Sequence, residues 1–129
     1  MMLIVDDDMA FAASLERVCR FAGLDAVSVS NGLEALSLLH IRRPKLIVLD
    51  LDMPGMDGLT VLRAIRKDAA YKSVPILIFT ADFSELQQKL TIEAGAQDYI
   101  VKGTVGWNGL IARIREWLGD GDPRLRLIQ

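Results

Sequence analysis

Three consecutive aspartates, Asp6, Asp7 and Asp8, follow the apolar run Met2-Leu3-Ile4-Val5, and a fourth, Asp50, follows Leu46-Ile47-Val48-Leu49. Thr80 and Ala81 follow Ile76-Leu77-Ile78-Phe79, and Lys102 follows Tyr99-Ile100-Val101. If these runs are neighbouring strands, their polar successors meet at one sheet edge. Carboxylates gathered there repel one another unless a hard divalent cation neutralises them, and Mg2+ or Mn2+ accepts such sparse carboxylate, carbonyl and water ligation. Helix capping and an acidic first turn account for one or two of the first three aspartates, but not for Asp50 beside them. Lys102 reads either as a solvated strand end or as a cation useful to those carboxylates. The Thr80 hydroxyl and the Ala81 amide add hydrogen-bond donors. An anion held between a metal, Lys102, Thr80 and an amide is most economically a phosphoryl group. With no Gly-rich phosphate loop or Walker motif to hold a nucleotide, that phosphoryl group is expected to be attached to a carboxylate, and Asp50 is the best-placed acceptor.

The elements that must position these residues are legible in the pattern. Five short runs, Met2 to Val5, Ala26 to Val29, Leu46 to Leu49, Ile76 to Phe79 and Tyr99 to Val101, are too short for helices and read as strands. Apolar residues at helical spacing lie between them: Phe11, Leu15, Val18, Cys19 and Ala22; Leu33, Leu36 and Leu39; Leu59, Leu62 and Ile65; Phe83, Leu86, Leu90 and Ala94. A fifth set, Leu110, Ile111, Ile114 and Leu118, closes the series. Near-continuous apolar strands alternating with helices imply a parallel sheet covered on both faces. The fold class is therefore α/β, a doubly wound five-stranded sheet in the flavodoxin-like order 2-1-3-4-5, whose ligands bind beyond the carboxyl ends of the strands. Residues 1–119 are expected to form the domain, and residues 120–129 a C-terminal tail or the start of a linker.

Composition narrows the functions. The chain has 129 residues, 51% of them hydrophobic and 25% charged, enough for one core and too few for two ordinary domains. Fifteen Lys and Arg against seventeen Asp and Glu give a net charge of −2, without the basic excess that binding a phosphate backbone requires, so no direct nucleic-acid contact is expected. A single cysteine, Cys19, can form neither an internal disulfide nor a zinc cluster, and no apolar run is long enough for a membrane span. With no secretory signal visible at the start, the expected location is cytoplasmic.

At these residues the sequence resembles the receiver domain of two-component response regulators, including the chemotaxis regulators, from Met2 to about Leu118. Leu3-Ile4-Val5-Asp6-Asp7-Asp8 is similar to the family's first strand and acidic pair, which implies a metal site at Asp6 and Asp7. Leu46-Ile47-Val48-Leu49-Asp50-Leu51-Asp52-Met53-Pro54-Gly55-Met56-Asp57-Gly58 is similar to its phosphorylation-site signature, implying Asp50 as phosphoacceptor and the Asp52 main-chain carbonyl as a further metal ligand. Ile78-Phe79-Thr80-Ala81 resembles the switch threonine and the small residue after it. The stretch from Ala94 to Lys102 resembles the last-strand signature, with Tyr99 the switch aromatic and Lys102 the phosphate-binding lysine. The resemblance implies a protein that is no conventional enzyme. It takes a phosphoryl group from a histidine kinase or histidine phosphotransfer protein, stores it on Asp50, and switches a surface of helix 4, strand 5 and helix 5 toward a target or a second copy. From the residues alone, Tyr99 reads equally well as a half-buried strand aromatic.

The chain departs from the family pattern at Gly103, where a proline favouring a cis bond usually follows the lysine, and in the glycine-rich stretch Gly103 to Gly109, expected to be a loop. Asp52 and Asp82 place acidic groups at variable flanking positions, where they are expected to tighten metal binding and repel anionic phosphodonors. Trp107, Trp117 and Ile92 read as core or as partly exposed surface, Cys19 as a buried small hydrophobe, and His40 as a residue without a phosphotransfer role. Two competing functions remain. Asp50-Leu51-Asp52 also looks like the DxD nucleophile and acid of haloacid-dehalogenase-type phosphatases, though on the third strand and with no room for a cap domain. The other is a docking scaffold that is never phosphorylated, against which the complete set Asp6, Asp7, Asp50, Thr80 and Lys102 argues.

Overall fold

Strand β1 (Met2–Val5) is buried at every position, and so is β3 (Leu46–Leu49), the run that ends at Asp50. Both are central in a parallel sheet of order β2-β1-β3-β4-β5, completed by β2 (Ala26–Val29), β4 (Ile76–Thr80) and β5 (Asp98–Val101). The computed structural model describes residues 1–119, and the expected tail or linker 120–129 lies outside them. Strand alternation sends Met2, Ile4, Leu46, Val48, Leu77, Phe79 and Ile100 to one face, where α1 (Met9–Phe21) and α5 (Trp107–Leu118) cover them. Leu3, Val5, Ile47, Leu49, Ile76 and Ile78 line the other face, under α2 (Gly32–Leu39) and α3 (Gly58–Lys67). The remaining helix, α4 (Glu85–Glu93), joins β4 to β5. The architecture is the one expected from the alternating pattern.

Differences are local and have physical reasons. Thr80 belongs to β4 and Asp98 to β5, each one residue beyond the expected run. Helix α4 is capped by Ser84, so Phe83 precedes it, and Phe83 and Leu86 are 78% and 64% exposed instead of lying on the inner stripe. The inward positions are Gln87, Leu90, Thr91 and Ala94, still at helical spacing but rotated from the expected set. Thr91 tolerates full burial because its hydroxyl donates to the Gln87 carbonyl at 2.8 Å. Leu33 points outward because the N-terminus of α2 lies against α3, where a Cβ on Gly32 would approach the Val61 side chain to 2.6 Å, and Ala35, Leu36 and Leu39 face the core instead. Trp107, Asn108 and Gly109 form the first turn of α5, which confines the expected loop to residues 103–106. No cis peptide bond occurs among the described residues, so Lys102–Gly103 is trans, and Gly103 takes the left-handed φ of +87° that glycine permits. A short 3-10 turn, Ala69–Tyr71, has no periodicity to announce it; Tyr71 is buried there, with its hydroxyl donating to the Leu39 carbonyl at 2.5 Å.

Helix α3, which opens immediately after the Asp50 loop, is fixed at its start by Asp57, whose carboxylate accepts the Thr60 amide at 2.9 Å. That bond holds the Asp57 carboxyl below its ordinary value. A lowered folded pKa contributes stability that is present above the unfolded value and lost as pH falls through the folded one. Asp57→Ala is expected to cost about 1 kcal/mol in urea unfolding at neutral pH. The gap to wild type should narrow as the pH drops below 3.8.

Candidate functional site

Strand register decides which polar groups meet. Val5 pairs with Leu49, so Asp6 and Asp50, each one step further on, stand side by side at the carboxyl edge. Asp6 continues the parity of Met2 and Ile4, Asp50 that of Leu46 and Val48, and Lys102 that of Ile100; all three therefore belong to the face covered by α1 and α5. Thr80 has the opposite parity on β4. Asp6 and Asp50 are buried, 3% and 5% exposed, whereas Asp7 is exposed.

The two buried carboxylates are held in the same way. Asp6 Oδ1 accepts the Asp8 amide at 2.9 Å and Oδ2 accepts Lys102 Nζ at 2.7 Å; Asp50 Oδ1 accepts the Asp52 amide at 3.3 Å and Oδ2 accepts Lys102 Nζ at 3.2 Å. Each thus spends one oxygen on a main-chain amide two residues ahead and one on the shared ammonium. Asp8 serves as the N-cap of α1, accepting the Phe11 amide at 3.0 Å, so the capping explanation accounts for this aspartate and leaves the other three free for chemistry.

Asp6, Asp7 and Asp50 each present an oxygen within a cluster no wider than 4.8 Å. Oxygens around a single Mg2+, at about 2.1 Å from it, stand roughly 3 to 4 Å apart, so a small closure brings these into range. Three carboxylates against one lysine leave an excess of negative charge for a hard divalent cation to offset, and the donor set fits one. Burial pushes the Asp6 carboxyl up, against the opposing pull of Lys102 and the Asp8 amide. For Lys102, burial disfavours the charge, but Asp6 and Asp50 outweigh it and hold the ammonium above its ordinary value. Asp52 is raised by desolvation and then by Asp50, Asp82 and Asp7, the neighbouring carboxylates at the mouth of the crevice.

Thr80 and Tyr99 are joined to each other through Asp82, not directly to Asp50. The Asp82 amide donates to Thr80 Oγ at 3.3 Å, and the Tyr99 hydroxyl donates to the Asp82 carbonyl at 2.6 Å. Thr80 is fully buried and Tyr99 partly so, and burial together with Asp82, Asp52 and Asp50 pushes the Tyr99 phenol up to about 12. Ala81 is exposed beside them. This bridging role of the Asp82 main chain carries no side-chain signature and is invisible in sequence. A second unforeseen feature is an aromatic wall, because Lys102 Nζ lies 4.2 Å from the centre of the Phe11 ring and 5.9 Å from that of Phe79.

Elsewhere, Cys19 is buried, its thiol pushed up to about 11 by burial, and His40 is exposed at the end of α2. Trp117 is 40% exposed and donates its indole N–H to Asp98 at 3.1 Å, and Ile92 is 49% exposed on α4. No helix among the described residues is long and apolar enough to cross a membrane.

Comparison with known proteins agrees with the fold. The profile of the response regulator receiver domain matches residues 2–115, and the chain belongs to that family. The DNA-binding response regulator MtrA of Mycobacterium tuberculosis is 39% identical over 120 residues, covering 93% of this chain and 51% of MtrA. The chain thus spans about half the length of the curated relatives it matches. The chemotaxis protein CheY4 of Vibrio cholerae superposes with a TM-score of 0.84 at 27% identity, over 89% of this chain and 95% of that one. The receiver domain of the sensor histidine kinase PA1611 from Pseudomonas aeruginosa, solved with magnesium coordinated in its active-site cleft, gives a TM-score of 0.82 at 26% identity, over 92% of this chain and 96% of the other.

The loop after Asp50 depends on one glycine. A Cβ at Gly58 would lie 2.2 Å from the Asp50 carbonyl oxygen and 2.7 Å from Leu51 Cα, both main-chain atoms that cannot yield without moving Asp50. Gly58→Ala is expected to lower the unfolding free energy by roughly 1 to 3 kcal/mol. Amide NMR should show its largest shifts at residues 50–52, and shifts confined to α3 would contradict this account.

Proposed function

We propose that the chain receives a phosphoryl group on Asp50 from a phosphohistidine of a histidine kinase or histidine phosphotransfer protein. The P–N bond to the donor imidazole breaks as a bond forms from phosphorus to an Asp50 carboxylate oxygen. In the later hydrolysis a water oxygen bonds to phosphorus and the Asp50 oxygen departs, giving inorganic phosphate and the free carboxylate. The observation that carries the reading is the buried Asp50 sharing Lys102 with Asp6, in a cluster that still has carboxylate charge to spare. Mg2+ or Mn2+, held by Asp6, Asp7, Asp50 and the Asp52 main-chain carbonyl, would neutralise charge on the transferring group. Magnesium in the cleft of the PA1611 receiver domain supports this assignment.

The protein groups have separate tasks. Lys102 trades part of its contact with Asp50 for a phosphoryl oxygen, and the Thr80 hydroxyl and the Ala81 amide take the others. A Thr80 hydroxyl that turns to the phosphoryl group gives up the Asp82 amide, and Asp82 also holds Tyr99. Phosphorylation therefore biases the position of Tyr99 and of the face formed by α4, β5 and α5, where Leu86, Ile92 and Trp117 are exposed for a target protein or a second copy. The protein is a phosphoacceptor that assists its own phosphorylation and dephosphorylation, with no separate substrate to turn over. We assign residues 1–119 to this unit and residues 120–129 to a tail or linker. The proposed donor places it in the cytoplasm. The DNA binding named for MtrA is not transferred to this chain, whose net charge is −2. A haloacid-dehalogenase-type phosphatase is disfavoured by the family match, and a silent scaffold by the completeness of the site.

Intact-mass spectrometry after incubation with Mg2+ and acetyl phosphate tests the assignment. Wild type should gain one phosphate and Asp50→Asn none; an adduct persisting in the variant would exclude Asp50, and no adduct from either acetyl phosphate or a phosphohistidine donor would favour the scaffold. Relieving the acidic mouth with Asp52→Asn should speed labelling by acetyl phosphate about threefold or more at saturating Mg2+. An unchanged rate would remove Asp52 from donor selection.

A further inference from the structure

The ammonium that joins Asp6 and Asp50 comes from the edge strand β5 and must reach across β4 to do so. Its stem has four rotatable bonds, and the backbone beyond it turns away immediately at Gly103 into a loop that holds a second glycine, Gly106. Nothing in that backbone fixes the direction of the side chain. What flanks it is aromatic. Nζ has three N–H groups; two point to the carboxylates at 2.7 and 3.2 Å, and on another side the nitrogen lies 4.2 Å from the centre of the Phe11 ring. The Phe11 ring is itself wedged between two others, with centroids 5.5 Å from Phe79 on β4 and 5.6 Å from Trp107, the first residue of α5. Phe11 opens the inner stripe of α1, three residues after the Asp8 cap, which accepts its amide.

We propose that Phe11 is a positioning residue for Lys102: its ring face holds the ammonium against the Asp6–Asp50 pair and keeps water from that side of it. Phe79 and Trp107 fix the angle of the ring. The part of the inference that concerns phosphorylation rests on the acceptor role proposed for Asp50; the contact itself does not. Leucine, a smaller filler without a π face, loses the attraction along with some packing, and fluorinated rings of nearly unchanged shape separate this role from a structural one.

Two readouts test it. In metal-free protein, NMR should find the Lys102 Cε protons shifted upfield by the Phe11 ring current in wild type and in Phe11→Tyr, and back at ordinary lysine positions in Phe11→Leu. With Mg2+ and acetyl phosphate, Phe11→Leu should label Asp50 about five- to tenfold more slowly than wild type, while Phe11→Tyr stays within about twofold. Ring-fluorinated phenylalanines placed at position 11, which keep the shape and withdraw charge from the ring face, should slow labelling in step with the number of fluorines, and they keep the test open if the leucine variant does not fold. Leucine at the wild-type rate, tyrosine as slow as leucine, or no gradation with fluorine would overturn the proposal. A ring-shifted Lys102 in a wild type that accepts no phosphate would instead overturn the acceptor role and leave the positioning contact standing.

Discussion

The two bonds from Lys102 Nζ, to Asp6 at 2.7 Å and to Asp50 at 3.2 Å, resolve a conflict that the fold creates. Parallel register sets two aspartates beside each other at the buried end of neighbouring strands, where a lowered dielectric raises the cost of like charge. Each carboxylate also accepts an amide two residues ahead, which fixes its orientation and fills one oxygen. With Asp7 at the rim, one ammonium is too little positive charge for the cluster. The site is therefore electrostatically suited to a divalent cation.

The rest of the architecture serves that edge. Apolar strands buried on both faces give a rigid platform, and the alternation that packs Met2, Ile4, Leu46, Val48 and Ile100 against α1 and α5 also sends Asp6, Asp50 and Lys102 to the same side. Thr80, on the opposite parity, faces a different set of neighbours. It connects through the Asp82 main chain to Tyr99, so the acidic cluster and the Thr80–Tyr99 link occupy the two sides of the sheet edge. Helix α4, with Thr91 as its only buried residue and Leu86 and Ile92 exposed, is less firmly anchored than α3, which buries Gly58, Val61, Leu62 and Ile65. An element with so little buried apolar surface is cheap to displace, which suits the responsive role proposed for this face.

Sheet order and the convergence of Asp6, Asp50 and Lys102 were legible because they follow from the alternation of runs and the rule that ligands gather beyond the strand ends. Helix faces were less so. Counting apolar residues put Leu33, Phe83 and Leu86 inside, but a close approach at Gly32 and the Ser84 cap set the rotations, and Thr91 could be buried only because its hydroxyl bonds back to Gln87. Two site features had no local signal. The Asp82 bridge uses backbone atoms, and Phe11, read as one more core residue of α1, gains its second role only when β5 brings a lysine over its ring. The trans bond at Lys102–Gly103 is simply the ordinary state of a peptide bond that does not precede proline.

The central claim is that excess carboxylate charge at this edge makes a divalent-cation site, and calorimetric titration of Mg2+ into wild type and Asp7→Asn addresses it most directly. Asp7 is the exposed member of the cluster, so its substitution removes charge without opening the core. One saturable site in wild type, weakened about tenfold or more in the variant, is the result the account predicts. Equal affinity in the two proteins, or no saturable binding in wild type, would contradict it.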